Sequence, residues 1–111
     1  MEFTEAEYRR RIQETLDAVE RAFEDVDPDV AECEQAFGAL TIRLADGTRC
    51  ILSAQPSVRQ LWLALAARGT AYHFNWDAGR GEWRDDKGRD IELRAFLRQY
   101  LREATKLELG F

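Results

Sequence analysis

The sequence predicts an α+β fold. It reads as a two-layer sandwich, with two helices packed on one face of an antiparallel sheet of about six strands, in the order α-β-β-β-β-β-β-α. Three observations lead there. Apolar residues at helical spacing open and close the chain, and the stretch between them alternates with the two-residue period of strands. The connections between those strands are too short for parallel pairs, which need a crossover of a dozen or more residues. Each helix carries a single apolar stripe, so both must bury it on the same sheet face, leaving the other face to water or a partner.

Thr4 is placed to cap the first helix, with Glu7 as the other half of a capping box. Tyr8, Ile12, Leu16, Val19, Phe23 and Val26 recur at steps of three and four, so the helix is expected to run to the Asp27-Pro28-Asp29 stop. Asp17, Glu20 and Glu24 line one flank, with Glu14 and Asp25 on the far side. Arg9, Arg10 and Arg11 stand near the start while acids crowd the end, the reverse of what the helix dipole favours. Such local conflicts concentrate at functional sites.

Residues 31–35 form the first candidate strand, with Glu32 and Glu34 on one face and Cys33 on the other; Gly38 breaks it. Leu40, Ile42 and Leu44 alternate with polar neighbours up to the Asp46-Gly47 hairpin signal, and residues 49–55 return. Pro56-Ser57 turns the corner. Residues 60–76 read as two strands about Gly69. Leu61, Leu63 and Leu65 face one way and Gln60, Trp62 and Ala64 the other; then Tyr72, Phe74 and Trp76 alternate with Ala71, His73 and Asn75. A loop at 77–81 leads to a short strand at 82–84 around Trp83. Asp90 is expected to cap the second helix, whose apolar side is Ile91, Leu93, Phe96, Leu97, Tyr100 and Leu101. The tail, with Leu107, Leu109 and Phe111 apolar at alternate positions, is expected to pack on the rest.

At 111 residues the chain suits one domain, 1–111, with a single core. A hydrophobic share of 45% and a charged share of 33% place it among folded chains. No apolar run approaches the roughly 20 residues that cross a bilayer, and the acid-bearing N-terminus resembles neither a signal peptide nor an organellar presequence. A cytoplasmic monomer is expected, with the mitochondrial matrix reserved for a form whose presequence has been left off. Cys33 and Cys50 read as small buried thiols, since a disulfide framework needs more cysteines. Residues 1–34 carry twelve acids and four arginines, net −8, while residues 35–111 carry nine acids and twelve Lys or Arg, net +3. The negative pole disfavours nucleic acid and anionic membrane as its partners and favours cations or a basic protein surface.

The acid-rich first helix and first strand, the runs LTIRLADGTRCIL and QPSVRQLWLA, AYHFNW with a following Trp83, and a terminal helix after Gly88 together resemble the frataxin family, bacterial type. The likeness spans nearly the whole chain. It implies the same helix-on-sheet sandwich and a role in iron–sulfur cluster assembly. It implies weak, exchangeable binding of iron, Fe2+ or Fe3+, along an acidic ridge on which Glu20, Glu24, Asp25, Asp27, Asp29, Glu32 and Glu34 fall. It also implies binding to a cysteine desulfurase, which members modulate in bacteria, and through that complex to the iron–sulfur scaffold protein. Arg21 interrupts the ridge, and Val30 and Ala31 thin it.

Carboxylate oxygens suit Fe2+. Glu20, Glu24 and Asp27, three or four residues apart on a helix, can share an ion. Nothing fixes a closed shell. No second His joins His73 to make an iron centre of two His and one carboxylate, and Val30 and Ala36 stand where a calcium loop starting at Asp25 needs Gly and Glu. Weak, plural cation sites follow, with a solvated acidic face as the bland alternative. For protein docking the ridge needs only potential, and Asp17, Glu20 and Glu24 can steer a basic partner. Trp62, with Gln55, Gln60 and Ser53, can form an uncharged contact patch, as aromatics are enriched at interfaces; alternatively Arg43 or Arg84 covers it. His73 reads as a surface polar residue, and Trp76 and Trp83 as packing around the last hairpin. No nucleophile–base pair, phosphate loop or diiron set is present, so no catalytic residue is expected. The reading is an iron-binding regulator of iron–sulfur cluster assembly. An acidic adaptor without a metal role, and an iron store or weak ferroxidase, compete with it.

Overall fold

The computed structural model describes residues 3–111; Met1 and Glu2, which the reading of the N-terminus includes, lie outside the described residues. The elements are α1 (Glu5–Ala22), β1 (Ala31–Ala36), β2 (Ala39–Leu44), β3 (Arg49–Gln55), β4 (Gln60–Leu65), β5 (Thr70–Asp77), β6 (Glu82–Asp85) and α2 (Leu93–Thr105). The strands form one antiparallel sheet in chain order, so β1 and β6 are its edges. Among the described residues no helix is long and apolar enough to cross a membrane.

The Thr4 half of the predicted capping box forms, with Thr4 Oγ1 accepting from the Glu7 amide at 3.1 Å, while the Glu7 carboxylate turns to Arg10 and Arg11 instead. The adverse arginines are offset locally, because Arg9 pairs with Glu5, Arg10 with Glu7, and Arg11 with Glu7 and Glu14. The far end departs from prediction. α1 stops at Ala22 rather than near Val26. The amides of Phe23, Glu24 and Val26 bond carbonyls three residues back, at 3.0, 3.2 and 3.1 Å. These tightened turns still bury Phe23 and half-bury Val26. Acids at the helix's negative end and Asp27 ahead of Pro28 both oppose continuation.

β1 runs one residue further than predicted, and Phe37-Gly38 link it to β2 with φ of 51° and 75°. Positive φ at both central residues is the requirement of a type I′ hairpin. Asp90 does not cap α2. Its φ is 54° and its carboxylate pairs with Arg84. The carboxylate of Glu92 caps instead, accepting from the amides of Arg94 (2.7 Å) and Ala95 (3.0 Å). The cap moves because the chain first pairs along β6, where the Asp85 amide donates to the Ile91 carbonyl at 3.0 Å.

Inward side chains of the sheet meet one face of each helix. Leu40, Ile42, Leu52, Phe74 and Trp83, together with Leu61, Leu63 and Leu65, pack with Leu16 and Val19 of α1 and Leu97 and Leu101 of α2. Each such leucine contributes roughly 1.5–3 kcal/mol by burial. Polar atoms in this layer are satisfied: Trp83 Nε1 donates to Thr15 Oγ1 at 3.1 Å, and the Tyr8 hydroxyl donates to the Gln60 carbonyl (2.8 Å) while accepting from the Gln55 amide (2.9 Å). Leu107, Leu109 and Phe111 pack against the core as expected.

Candidate functional site

The acidic ridge is assembled from three segments: the last turns of α1, the loop after it, and β1. Asp17 and Glu20 are half-buried, whereas Glu24, Asp25, Asp27, Asp29, Glu32 and Glu34 are exposed. Glu24 and Asp27 lie beyond the end of α1, so the helical spacing expected to bring them over Glu20 does not operate. Among the described residues no three His, Cys, Asp or Glu side chains gather closely enough to hold a metal ion. Asp27 uses Oδ1 to accept from the Asp29 amide at 2.9 Å, an Asx turn that shapes the loop.

Two neutral residues absent from the sequence reading knit the ridge together. Gln35 of β1 donates from Nε2 to Asp17 Oδ1 (3.2 Å) and Glu20 Oε1 (3.1 Å). Gln13 donates to Asp17 Oδ1 (2.8 Å) and Gln35 Oε1 (2.7 Å). Amides thus orient the carboxylates without cancelling their charge. The one ion pair within the ridge among the described residues is Glu34 to Arg43, at 3.6 Å.

A 290 Å³ cleft opens between the end of α1 and β1, lined by Glu20, Phe23, Glu24, Val26, Glu32 and Cys33 among others. Burial, helped by the charge of Glu20, pushes the Cys33 thiol up to about 12. Cys33 is therefore a neutral thiol at ordinary pH and neither a nucleophile nor a ready metal ligand. Cys50 is fully buried and pushed up to about 12 by burial, then by Asp46. Both thiols are free; Cys50 is buried as expected, whereas Cys33 is only half-buried.

The outer sheet face carries the second part. Ser53 of β3 is opposite Trp62 of β4, which is opposite His73 of β5; in the next row Gln55, Gln60 and Asn75 align. Among the described residues no arginine lies over the Trp62 ring: Arg43 pairs with Glu34, and Arg84 with Glu82 and Asp90. The Trp62 indole stacks on the His73 imidazole, with centroids 4.0 Å apart and planes 11° apart, because the register places them directly across from one another. Trp62 Nε1 donates to Gln60 Oε1 at 2.8 Å, and Gln60 Nε2 donates to Asn75 Oδ1 and Asp86 Oδ2, both at 3.1 Å. Gln55 reaches Ser53 Oγ at 3.5 Å. Trp62 is half-buried. His73, read as a lone surface residue, belongs to this patch; the matched parity of positions 62 and 73 was its signal. Cross-strand register also puts Glu34 on the same outer face as Trp62, three strands across and two residues along, roughly 16 Å at standard strand dimensions.

The family model for the frataxin-like domain matches residues 1–107. The chain belongs to the frataxin family. Among curated family members, the iron-sulfur cluster assembly protein CyaY of Ectopseudomonas mendocina is 38% identical over 111 residues, covering all of this chain and 97% of that protein. The protein of the same name from Azotobacter vinelandii is 41% identical with the same coverage. Among solved frataxins, that of Psychromonas ingrahamii superimposes with a TM-score of 0.83 at 20% identity, over 96% of each chain. A trimeric yeast frataxin complexed with ferrous iron gives a TM-score of 0.64 at 21% identity, over 93% of this chain and 86% of that one. The two-helix, six-strand order is the frataxin fold.

Proposed function

We propose that this frataxin-family protein is an iron-binding regulator of iron–sulfur cluster assembly. It docks on cysteine desulfurase through its acidic ridge and outer sheet face, and reaches the scaffold protein through that complex. The observation that carries the reading is the ridge's lack of intramolecular cations: of its acids, only Glu34 pairs with a base among the described residues. A field that the protein does not neutralise itself is available to a basic partner. Asp17, Glu20 and Glu24 supply the steering. Ser53, Gln55, Gln60 and Trp62 supply the close contact, with Trp62 as the aromatic anchor.

Iron enters as cargo and not as a resident cofactor. Carboxylates held singly along Glu20, Glu24, Asp25, Asp27, Asp29, Glu32 and Glu34 offer hard oxygen ligands without a closed shell, so binding is weak and exchangeable. The names of the curated relatives and the ferrous complex of the yeast protein support the assignment. The protein acts by binding, without a catalytic residue of its own.

Desulfurase binding measured at increasing ionic strength tests the docking: affinity is expected to fall steeply with salt, and a flat profile overturns it. Trp62→Ala is expected to weaken the complex with little change in melting temperature; a large loss of stability with binding intact would make Trp62 structural. Anaerobic titration with Fe2+, set against Ca2+ and Mg2+, separates this reading from an acidic adaptor without metal. Saturable Fe2+ effects on ridge amides are expected, and their absence removes the iron role.

A further inference from the structure

Phe37 is a large apolar side chain without cover, 108% exposed against 53% for Val58, the other such residue on the described surface. It also occupies a conformation that suits its type poorly. It is the first central residue of the β1–β2 hairpin, at φ 51°, where Asn, Asp or Gly is favoured and a bulky residue is strained. Asn there relieves the backbone and removes an exposed ring, so neither folding nor solubility accounts for Phe37.

Beside the ring lies a groove of 350 Å³, where the hairpin tip meets α1 and the corner after β3, with Tyr8, Ile12, Ala54 and Pro56 among its lining. Its walls are held by backbone bonds. The Ala54 amide donates to the Gly38 carbonyl at 2.9 Å, and the Tyr8 hydroxyl ties both chains of the corner. The rim leads into the ridge: Gln13, which borders the groove, donates to Asp17, and Glu34 lies three residues before Phe37. Arg9, the cation on the rim, is paired with Glu5 at 2.8 Å. The surroundings are therefore apolar at the centre and negative along the ridge side.

We propose that Phe37 and this groove form an apolar anchor at the end of the acidic ridge, engaging a basic protein surface that presents an aliphatic or aromatic side chain among its Lys and Arg residues. The inference rests on the docking role proposed above and gives it a central contact, since well-packed aromatic anchors carry most of the energy of an interface. Charge complementarity selects a basic partner over a second copy, which would set two acidic ridges against each other.

The test compares desulfurase binding by the full chain, by Phe37→Asn, which suits the turn, and by the triple variant Glu20→Gln, Glu24→Gln, Asp27→Asn, each at low and moderate salt. Phe37→Asn is expected to weaken binding at least about tenfold at both salt concentrations, to keep the wild-type salt dependence, and to melt no lower than wild type. The charge variant is expected to lose the salt dependence. If Phe37→Asn binds as wild type while the charge variant does not, the anchor is wrong and the ridge stands. If only Phe37→Asn loses affinity, the anchor stands and the electrostatic reading fails. If the wild type does not bind, or neither variant weakens binding, both fall. A concentration-dependent dimer in sedimentation that Phe37→Asn abolishes identifies a second copy as the occupant and overturns the proposal.

Discussion

At the β6 edge of the sheet the charges find partners in their own chain, and at the β1 edge they mostly do not. Asp85, its side chain fully buried, accepts from Arg89 Nη2 at 2.6 Å and Nε at 3.0 Å, and from the amides of Lys87 and Arg89 at 3.0 and 3.1 Å. Those hydrogen bonds, the Arg89 side chain foremost, hold its carboxyl down at about 2. Arg84 sits between Glu82 and Asp90, and Arg89 lies over the Tyr72 ring. Across the sheet, among the described residues, Asp17 and Glu20 receive only glutamine amides, and Glu34 alone of the ridge acids has a cation, at 3.6 Å. The same residue types thus serve stability at one edge and potential at the other. Paired charges present little field to a partner, whereas unpaired ones present much.

The contrast breaks most visibly at Asp85. Asp85→Ala leaves the Arg89 guanidinium and two amides without this buried acceptor and is expected to cost about 3 kcal/mol of stability in urea unfolding. A loss under about 1 kcal/mol would mean the paired edge does not stabilise the fold. The pH dependence sharpens the same point. The carboxyl of Asp85 is held below its ordinary 3.8, so its contribution is complete above that value and is lost as pH falls toward about 2. The stability gap between wild type and Asp85→Asn is expected to be on the order of 2 kcal/mol at neutral pH and to close across that acid window.

The β1 edge should behave oppositely. Neutralising Glu20, Glu24 and Asp27 together is expected to lower desulfurase affinity about tenfold, near 1.4 kcal/mol, while thermal stability holds within about 0.5 kcal/mol or improves, since acids at a helix C-terminus oppose its dipole. The smallest effect is expected for Glu34→Gln, which removes the exposed pair with Arg43 and should shift chemical denaturation by less than about 0.5 kcal/mol. A larger loss there would show that the ridge, too, is part of the scaffold.

The strands were legible because an error of one residue would flip a whole strand face. Leu61, Leu63 and Leu65 could face only the core, so Trp62 had to face out. The helix ends were less legible. Apolar spacing continued past Ala22 because Phe23 and Val26 are buried from tightened turns, which periodicity cannot tell from a helix. Asp90 was the expected cap, and the pairing of the chain with β6 put Glu92 in its place. Gln13 and Gln35 were invisible as site residues, since an amide has no distinctive spacing and theirs matters only where it meets Asp17.

By itself the sequence determined the α+β class, the strand order, the inward leucines and the acidic pole. Alternation, short connections and net charge are properties of neighbouring residues. Only the tertiary structure decided which acids stand together, that His73 backs Trp62, and that Phe37 stands bare beside a groove. Those facts depend on cross-strand register and on the packing of α1 against β1, which brings Gln35 to carboxylates 18 and 15 residues away.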